Sequence, residues 1–296
     1  MVDQQKNNKK NKIGILTFEQ IEGRPKNTAG SSRIRARWLI KHWPEAEEFV
    51  QGKKYDVVIY QKAYFVEHAK NFKGLKILDL CDPDWMHWGY RVKEMIEEVD
   101  VVTASSEPLK EAIEKFAGDK PVICVPDRLD LDFHYQKKIH EGDAKTVVWF
   151  GYSTAFNLLQ STLDVLKKHN LNLIVIADTA FSLSSSYQSY IELTNYPWTI
   201  DTVNDDIIKG DIVLNPKSGK GKWKFKSSNK TVSAWALGMP VAHNINELEK
   251  FITAEGRIEE AQKRMKEVRE DYDIKLSVEQ YKQIIEEYGK AIIKEE

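Results

Sequence analysis

The sequence predicts an α/β protein built as two doubly wound, Rossmann-like domains that face a cleft. Three observations predict it. Short runs rich in Val, Ile and Leu recur along the chain and alternate with amphipathic segments, the pattern of parallel strands covered on both faces. The alternation stops at 126–143, a charged stretch without a period, and then restarts. The length, 296 residues, suits two domains of about 150 residues each.

The first strand is 13–18 (IGILTF), followed by a polar loop over 19–31 that contains Gly23, Pro25 and Gly30. Residues 31–43 read as a helix with Ser31 or Ser32 at its N-cap and Ile34, Trp38, Leu39 and Ile40 at helical spacing. Strands at 56–61, 76–81, 100–105 and 121–125 alternate with helices at 63–72, 85–99 and 108–116. After the linker, 146–150 (TVVWF) is a strand ended by Gly151. Residues 155–169 form a helix on the spacing of Leu158, Leu159, Thr162, Val165 and Leu166. Strands follow at 171–177, 211–214 and 240–243, with helices at 205–209 and 229–237, the second closed by Gly238 and Pro240. From 246 on the chain is helical and highly charged, most clearly over 258–272 and 277–293. The expected division is a disordered tail (1–11), an N-terminal acceptor domain (12–140), a C-terminal nucleotide domain (141–274) and a final helix (275–296) packing back toward the first domain.

Composition narrows the function. Lys and Arg number 44 against 45 Asp and Glu, a net charge of −1, so a whole-protein basic field for nucleic acid is excluded while a local basic patch is not. The two cysteines, Cys81 and Cys124, exclude a disulfide scaffold and a Cys-rich zinc site, and read as free thiols in a reducing compartment. No run approaches the ~18 apolar residues of a membrane span, and the N-terminus is polar and basic, so a cytoplasmic protein is expected.

Open α/β sheets bind ligands outside the carboxyl ends of their strands, where strand order reverses. Three stretches fall at such ends. In 211–243 a strand leads into a loop carrying Lys217, Lys220, Lys222, Lys224 and Lys226, and a helix opens near Ser227, Ser228, Asn229 and Lys230. Outward-pointing N–H groups, the helix dipole and lysines make a diphosphate cradle. The plain alternative is a solvated loop with a serine cap. In 28–38, Gly30, Ser31 and Ser32 open a helix beside Arg33, Arg35 and Arg37, an anion-friendly turn or a solvated surface helix. In 78–91, Asp82, Asp84 and His87 follow a strand together with Trp85 and Trp88. These groups suit proton transfer and sugar stacking, or a helix cap with core tryptophans. Their spacing matches no metal-ligand motif, so no metal is expected.

The order of strand, Lys226-Ser227-x-x-Lys230, amphipathic helix and Ala-Leu-Gly-Met-Pro-Val (236–241) resembles the donor-nucleotide segment of GT-B glycosyltransferases of the group-1, family-4-like lineage. The passages 100–113 (DVVTASSEPLKEAI), 122–134 (VICVPDRLDLDFH), 146–152 (TVVWFGY) and the closing helices resemble other parts of that fold in the same order. The resemblance implies a retaining, cofactor-free transferase using a nucleoside diphosphate sugar such as a UDP-sugar. Its donor residues are Gly151, Tyr152, Lys222, Lys226, Ser227, Ser228, Asn229, Lys230 and Ser233. Two features of the family are missing here. Its paired glutamates fall near Phe225 and Ser233, neither acidic, and its Arg/Lys pair after the first C-domain strand is absent from 152–160 (YSTAFNLLQ).

The leading expectation is therefore sugar transfer to a sugar or glycan acceptor, with Asp82, Asp84 and His87 on the chemistry and Gly30, Ser31, Ser32, Arg33 and Arg35 on acceptor or phosphate. Two others stand beside it. Trp223 and Phe225 interleave with the lysines, as in single-strand or flipped-base binders, so the acceptor could be a nucleic-acid base. The missing glutamates leave room for a non-catalytic nucleotide-sugar or glycan binder.

Overall fold

A computed structural model describes residues 11–26, 29–216 and 221–292. All but the last residue of the tail expected at 1–11 lies outside the described residues, as do the last four of the final helix. The chain divides into two units. The first holds the described part of Met1–Arg128, the strap Phe225–Ser227 and the described part of Ile274–Glu296; the second holds Leu129–Lys224 and Ser228–Asp273. Residues 129–140, expected with the N-terminal domain, are thus counted with the second unit, where Leu129 bridges Asp273.

The first unit is built on a six-stranded parallel sheet. Its strands are β1 (Ile13–Thr17), β2 (Ala46–Glu48), β3 (Val57–Gln61), β4 (Leu75–Leu80), β5 (Val101–Ala104) and β6 (Val122–Cys124), in the order β2-β1-β3-β4-β5-β6. Every residue of β1, β3 and β5 is buried, which is why these strands read as continuous apolar runs rather than alternating ones. From β1 the chain steps outward to β2 and returns past β1 to β3, so the order reverses between β1 and β3. The predicted helix at 31–43 forms as one run, but Arg33–Arg37 is a π turn between Gly30–Ser32 and Trp38–His42. The final helix, Ile274–Ile292, packs on Trp38–His42 and β4 and stacks Tyr281 near Trp43, ring centroids 6.2 Å apart.

The second unit carries β7 (Thr146–Gly151), β8 (Asn172–Ala177), β9 (Leu193–Pro197), β10 (Ile212–Leu214) and β11 (Val241–Ala242), all parallel, in the order β11-β10-β7-β8-β9. Here the reversal lies between β7 and β10. One face of the sheet is covered through Leu159, Leu163, Leu166 and Leu248, the other through Ile207, Ala234 and Leu237. Arg257 is fully buried and donates to the carbonyls of Phe251, Ile252, Glu141 and Gly142, closing the start of the helix Ala254–Asp271.

Some elements differ from expectation. Strands β2 and β9 have no counterpart in the sequence reading. The single helix expected at 155–169 is broken into Ser153–Ala155, Phe156–Gln160 and Leu163–Lys168. Ser161 and Thr162 lie at the break, and their hydroxyls donate back to the carbonyls of Leu158 and Leu159, competing with the helical ladder.

Candidate functional site

In the second unit, the reversal of strand order sets the carboxyl ends of β7 and β10 side by side. Strand β7 ends at Gly151 with φ +153°, a backbone state that disfavours side chains. A Cβ built there would fall on the Lys230 ammonium, the tip of a flexible side chain, so a larger residue at 151 would have to move it. The same ammonium sits 4.9 Å from the centroid of the Trp149 ring, a cation–π contact. Lys230 is on the first turn of the helix Asn229–Ala236. Its N-cap residue, Ser228, makes no side-chain capping bond, and the Nδ2 of Asn229 is buried without a hydrogen-bond partner.

Around this point the loops are tied down. Asp178, just past β8, accepts from the backbone N–H (2.6 Å) and hydroxyl (3.0 Å) of Ser153. The backbone bond is the main reason its carboxyl is held below the ordinary range. That fixes the turn carrying Tyr152, which is 61% exposed. Asn215, just past β10, donates to the Thr231 hydroxyl (3.0 Å), and its carbonyl accepts from Nδ1 of His243 (2.8 Å). Ser233 lies half-buried on the helix. Gly151, Tyr152, Ser228, Asn229 and Lys230 are thus brought to one strand-end locus. The side chain of Lys222, like residues Lys217 and Lys220, lies outside the described residues.

In the first unit, the ends of β3 and β4 carry a second cluster. Lys62 takes up φ +52° directly after β3, and its ammonium bridges Asp82 (2.7 Å) and Asp84 (3.2 Å). Tyr64 donates to Asp84 at 2.6 Å, and Lys226 of the strap pairs with the other oxygen of Asp82. Burial works against the Asp82 anion, but Lys62 and Lys226 outweigh it and hold the carboxyl below its ordinary value. Burial likewise opposes the Lys62 cation, while the neighbouring Cys81, Asp82 and Asp84 raise its pKa well above normal. The paired cations thus favour the ionised form of Asp82, whose oxygens orient donors. His87 is exposed on the helix Trp85–Glu98 and takes no part in these bonds.

The basic turn after β1 also differs from expectation. Arg35 faces inward and is 3% exposed. Its guanidinium forms a bidentate pair with fully buried Asp79 (2.7 and 2.6 Å) and donates to the Val125 carbonyl and Asp127. Asp79 also accepts from Thr103 and Tyr281. Arg35 is a core clamp and is not open to phosphate. Ser32 is buried and donates to Gln61 at 3.1 Å. Gly30 and Ser31 are partly buried at the helix start, and Arg33 lies against the Trp38 ring at 5.8 Å. The aromatic residues of the lysine loop are also spoken for. Phe225 is buried against Trp85 in the first unit's core, and Trp223 packs on the second unit's core. Trp88's side chain lies outside the described residues.

Sequence reading misses Lys62, Tyr64, Asp127, Asp178 and Asn215. The signal it offers for them is their position one or a few residues past an apolar run.

No protein-family model matches the chain, and no curated protein matches it in sequence. Solved structures do match. The chain is similar to Anabaena HepE in complex with UDP and glucose, with TM-score 0.66 and 12% identity over 94% of this chain and 100% of that one. It is similar to a glycosyltransferase from Rickettsia africae, with TM-score 0.59 and 10% identity over 94% and 98%. It is also similar to the T4 phage β-glucosyltransferase, with TM-score 0.55 and 11% identity over 92% and 98%. Two doubly wound parallel sheets in this chain order, matched along nearly the full length of these enzymes, give the chain the fold of the GT-B glycosyltransferases.

Proposed function

We propose that the chain is a glycosyltransferase that takes a sugar from a nucleoside diphosphate sugar, UDP being the first nucleotide to test, and passes it to a hydroxyl acceptor. The observation that carries this reading is the placement of the Lys230 ammonium on Gly151, at the strand reversal of the second unit and on the first turn of a helix. A diphosphate there meets a lysine, the positive end of a helix dipole and the Asn229 amide. In the reaction the bond from the sugar's anomeric carbon to the diphosphate breaks, and a bond to the acceptor oxygen forms. The charge that grows on the leaving diphosphate falls on these groups, so the reading calls for no metal. Tyr152 offers an exposed ring beside the donor, and Ser233 and the remaining loop lysines complete the proposed donor set. On the first unit, Asp82 and Asp84, held by Lys62 and Tyr64, orient an acceptor hydroxyl.

The ligands of the structural neighbour HepE, UDP and glucose, agree with this chemistry. A retaining outcome follows the sequence resemblance, and a cytoplasmic setting follows the reading of Cys81 and Cys124 as free thiols; among the described residues no helix is long and apolar enough to cross a membrane. A sugar or glycan is preferred to a nucleic-acid base as acceptor, because Phe225 and Trp223 are engaged in cores rather than presented for stacking.

The test is calorimetric titration of UDP, GDP and ADP, followed by an assay for nucleotide release from the matching sugar donor. Binding with release supports a transferase, binding without release at any acceptor supports a non-catalytic binder, and no binding to any nucleotide defeats both.

A further inference from the structure

We propose that the second unit carries a sugar-binding site apart from the donor locus, in a cavity at the carboxyl ends of β10 and β11. The cavity encloses about 440 Å³, within the range of small-molecule sites. Its floor is apolar: Val165, Leu214, Ala242 and Leu248 are buried residues of the cluster that covers one face of the sheet. Ala234, on the helix that carries Lys230, belongs to the cluster on the other face. Ile245, 52% exposed, brings the apolar lining out to solvent.

The polar groups of the lining have fixed roles. The Ser161 and Thr162 hydroxyls donate to the carbonyls of Leu158 and Leu159, both at 2.7 Å, so toward a ligand their oxygens only accept. The helix break at these two residues thus falls on the cavity wall. Asn244 gives its side-chain oxygen to the backbone N–H of Glu247 at 3.0 Å, which leaves its amide N–H groups to donate. Among the described residues that line the cavity, none is Asp, Glu, Lys or Arg. An anionic ligand finds no cation in this set, and a purely apolar one would strip its polar groups of water without replacing the hydrogen bonds. A neutral ring with hydroxyls on its edge and C–H groups on its face satisfies both halves. Its hydroxyls donate to Ser161 and Thr162 and accept from Asn244, and its C–H face lies on the apolar floor. That is the chemistry of a pyranose sugar, free or at the end of a glycan.

The experiment is titration of glucose and of maltotriose into the full chain, read by saturation-transfer NMR. It compares wild type, Ser161→Ala, Thr162→Val, Asn244→Asp and Lys230→Ala, with melting temperatures recorded for each. Asn244→Asp keeps the oxygen that caps Glu247 and removes the amide donor. Each cavity substitution is expected to weaken sugar binding by about two- to tenfold, the effect of one hydrogen bond, while Lys230→Ala leaves it unchanged. UDP affinity is expected to stay as in wild type in the three cavity variants, so this inference and the donor reading fail separately. Binding of glucose as tight as maltotriose supports a site for a free sugar, and tighter maltotriose supports one for a glycan end. No binding of either sugar to wild type overturns the proposal, as does affinity that all three cavity variants retain. Displacement of the sugar by UDP also overturns it, since the cavity then belongs to the nucleotide. If Thr162→Val does not fold, Ser161→Ala and Asn244→Asp, both at exposed positions, still decide.

Discussion

At the strand ends of the first unit, cations are matched by acids: Arg35 by Asp79 and Asp127, Lys62 by Asp82 and Asp84, Lys226 by Asp82. At the strand reversal of the second unit, the ammonium of Lys230 is set on a glycine and an indole, at the positive end of a helix. A buried acid–base pair is costly to desolvate and stabilises only as a complete set. The Lys230 ammonium lies where a methyl group on residue 151 would fall and beside the face of an indole, so shape contributes to its placement. The difference teaches that a lysine or arginine at the carboxyl end of a strand has two fates, a clamp inside an acid cluster or a group placed at a locus for ligand. What the fold packs against it decides between them, and no composition reveals that.

The largest expected break in the comparison is at Arg35. Arg35→Ala leaves Asp79 buried with an unmatched charge and should cost about 3–5 kcal/mol, read by urea unfolding. Arg35→Lys should recover little, because lysine cannot make the bidentate pair. A cost under about 1 kcal/mol for Arg35→Ala would show that the clamp is not structural.

Next is Lys230. Lys230→Ala should weaken UDP by about tenfold to a hundredfold, the effect of one charge-assisted hydrogen bond at about 1.4 kcal/mol per decade, with little change in melting temperature. A variant that melts lower but binds UDP as wild type does would place Lys230 on the structural side of the comparison.

Gly151→Ala sharpens the same point from the other partner. The φ of +153° and the ammonium in the path of a methyl group predict a stability loss of about 1–3 kcal/mol together with weakened nucleotide binding. Calorimetry and thermal melts on one preparation read both effects.

The smallest effect is a pH dependence of the first unit. His68 is ringed by Phe49, Tyr60, Phe65 and Phe72, and burial lowers its pKa below 6.5. The unfolded chain then takes up the proton first. Stability is full above about pH 6.5 and falls as pH drops through the lowered folded value. His68→Phe should flatten that part of the melting curve against pH, and an unchanged slope would assign it elsewhere.

Much of this architecture is readable from sequence, because strands buried on both faces announce themselves as apolar runs. The two strands that escape are edge strands: β2 reads Ala-Glu-Glu and β9 reads Leu-Thr-Asn-Tyr-Pro, and neither has an apolar run. The break at Ser161 and Thr162 is hidden because leucine spacing continues through it. Within the candidate site, Gly151 and Lys230 are legible from a glycine at a strand end and a lysine at a helix start. Arg35 misleads because a solvent-facing arginine and one buried on an aspartate 44 residues away look alike in sequence. Lys62 escapes because a left-handed backbone at a lysine has no signature in residue type.

The interlock of Gly151 and Lys230 bears on how such a locus can drift or be redesigned. A side chain at 151 would have to displace the ammonium, and once position 230 is small or neutral one of the two reasons to keep glycine there is gone, the backbone φ being the other. Substitutions at the two positions are therefore non-additive: losing both should harm nucleotide affinity scarcely more than losing one. Two sites 79 positions apart thus behave as a single heritable character, and a glycine whose absent methyl is filled by a lysine becomes a geometric signature to search for in other chains whose sequences have diverged past recognition.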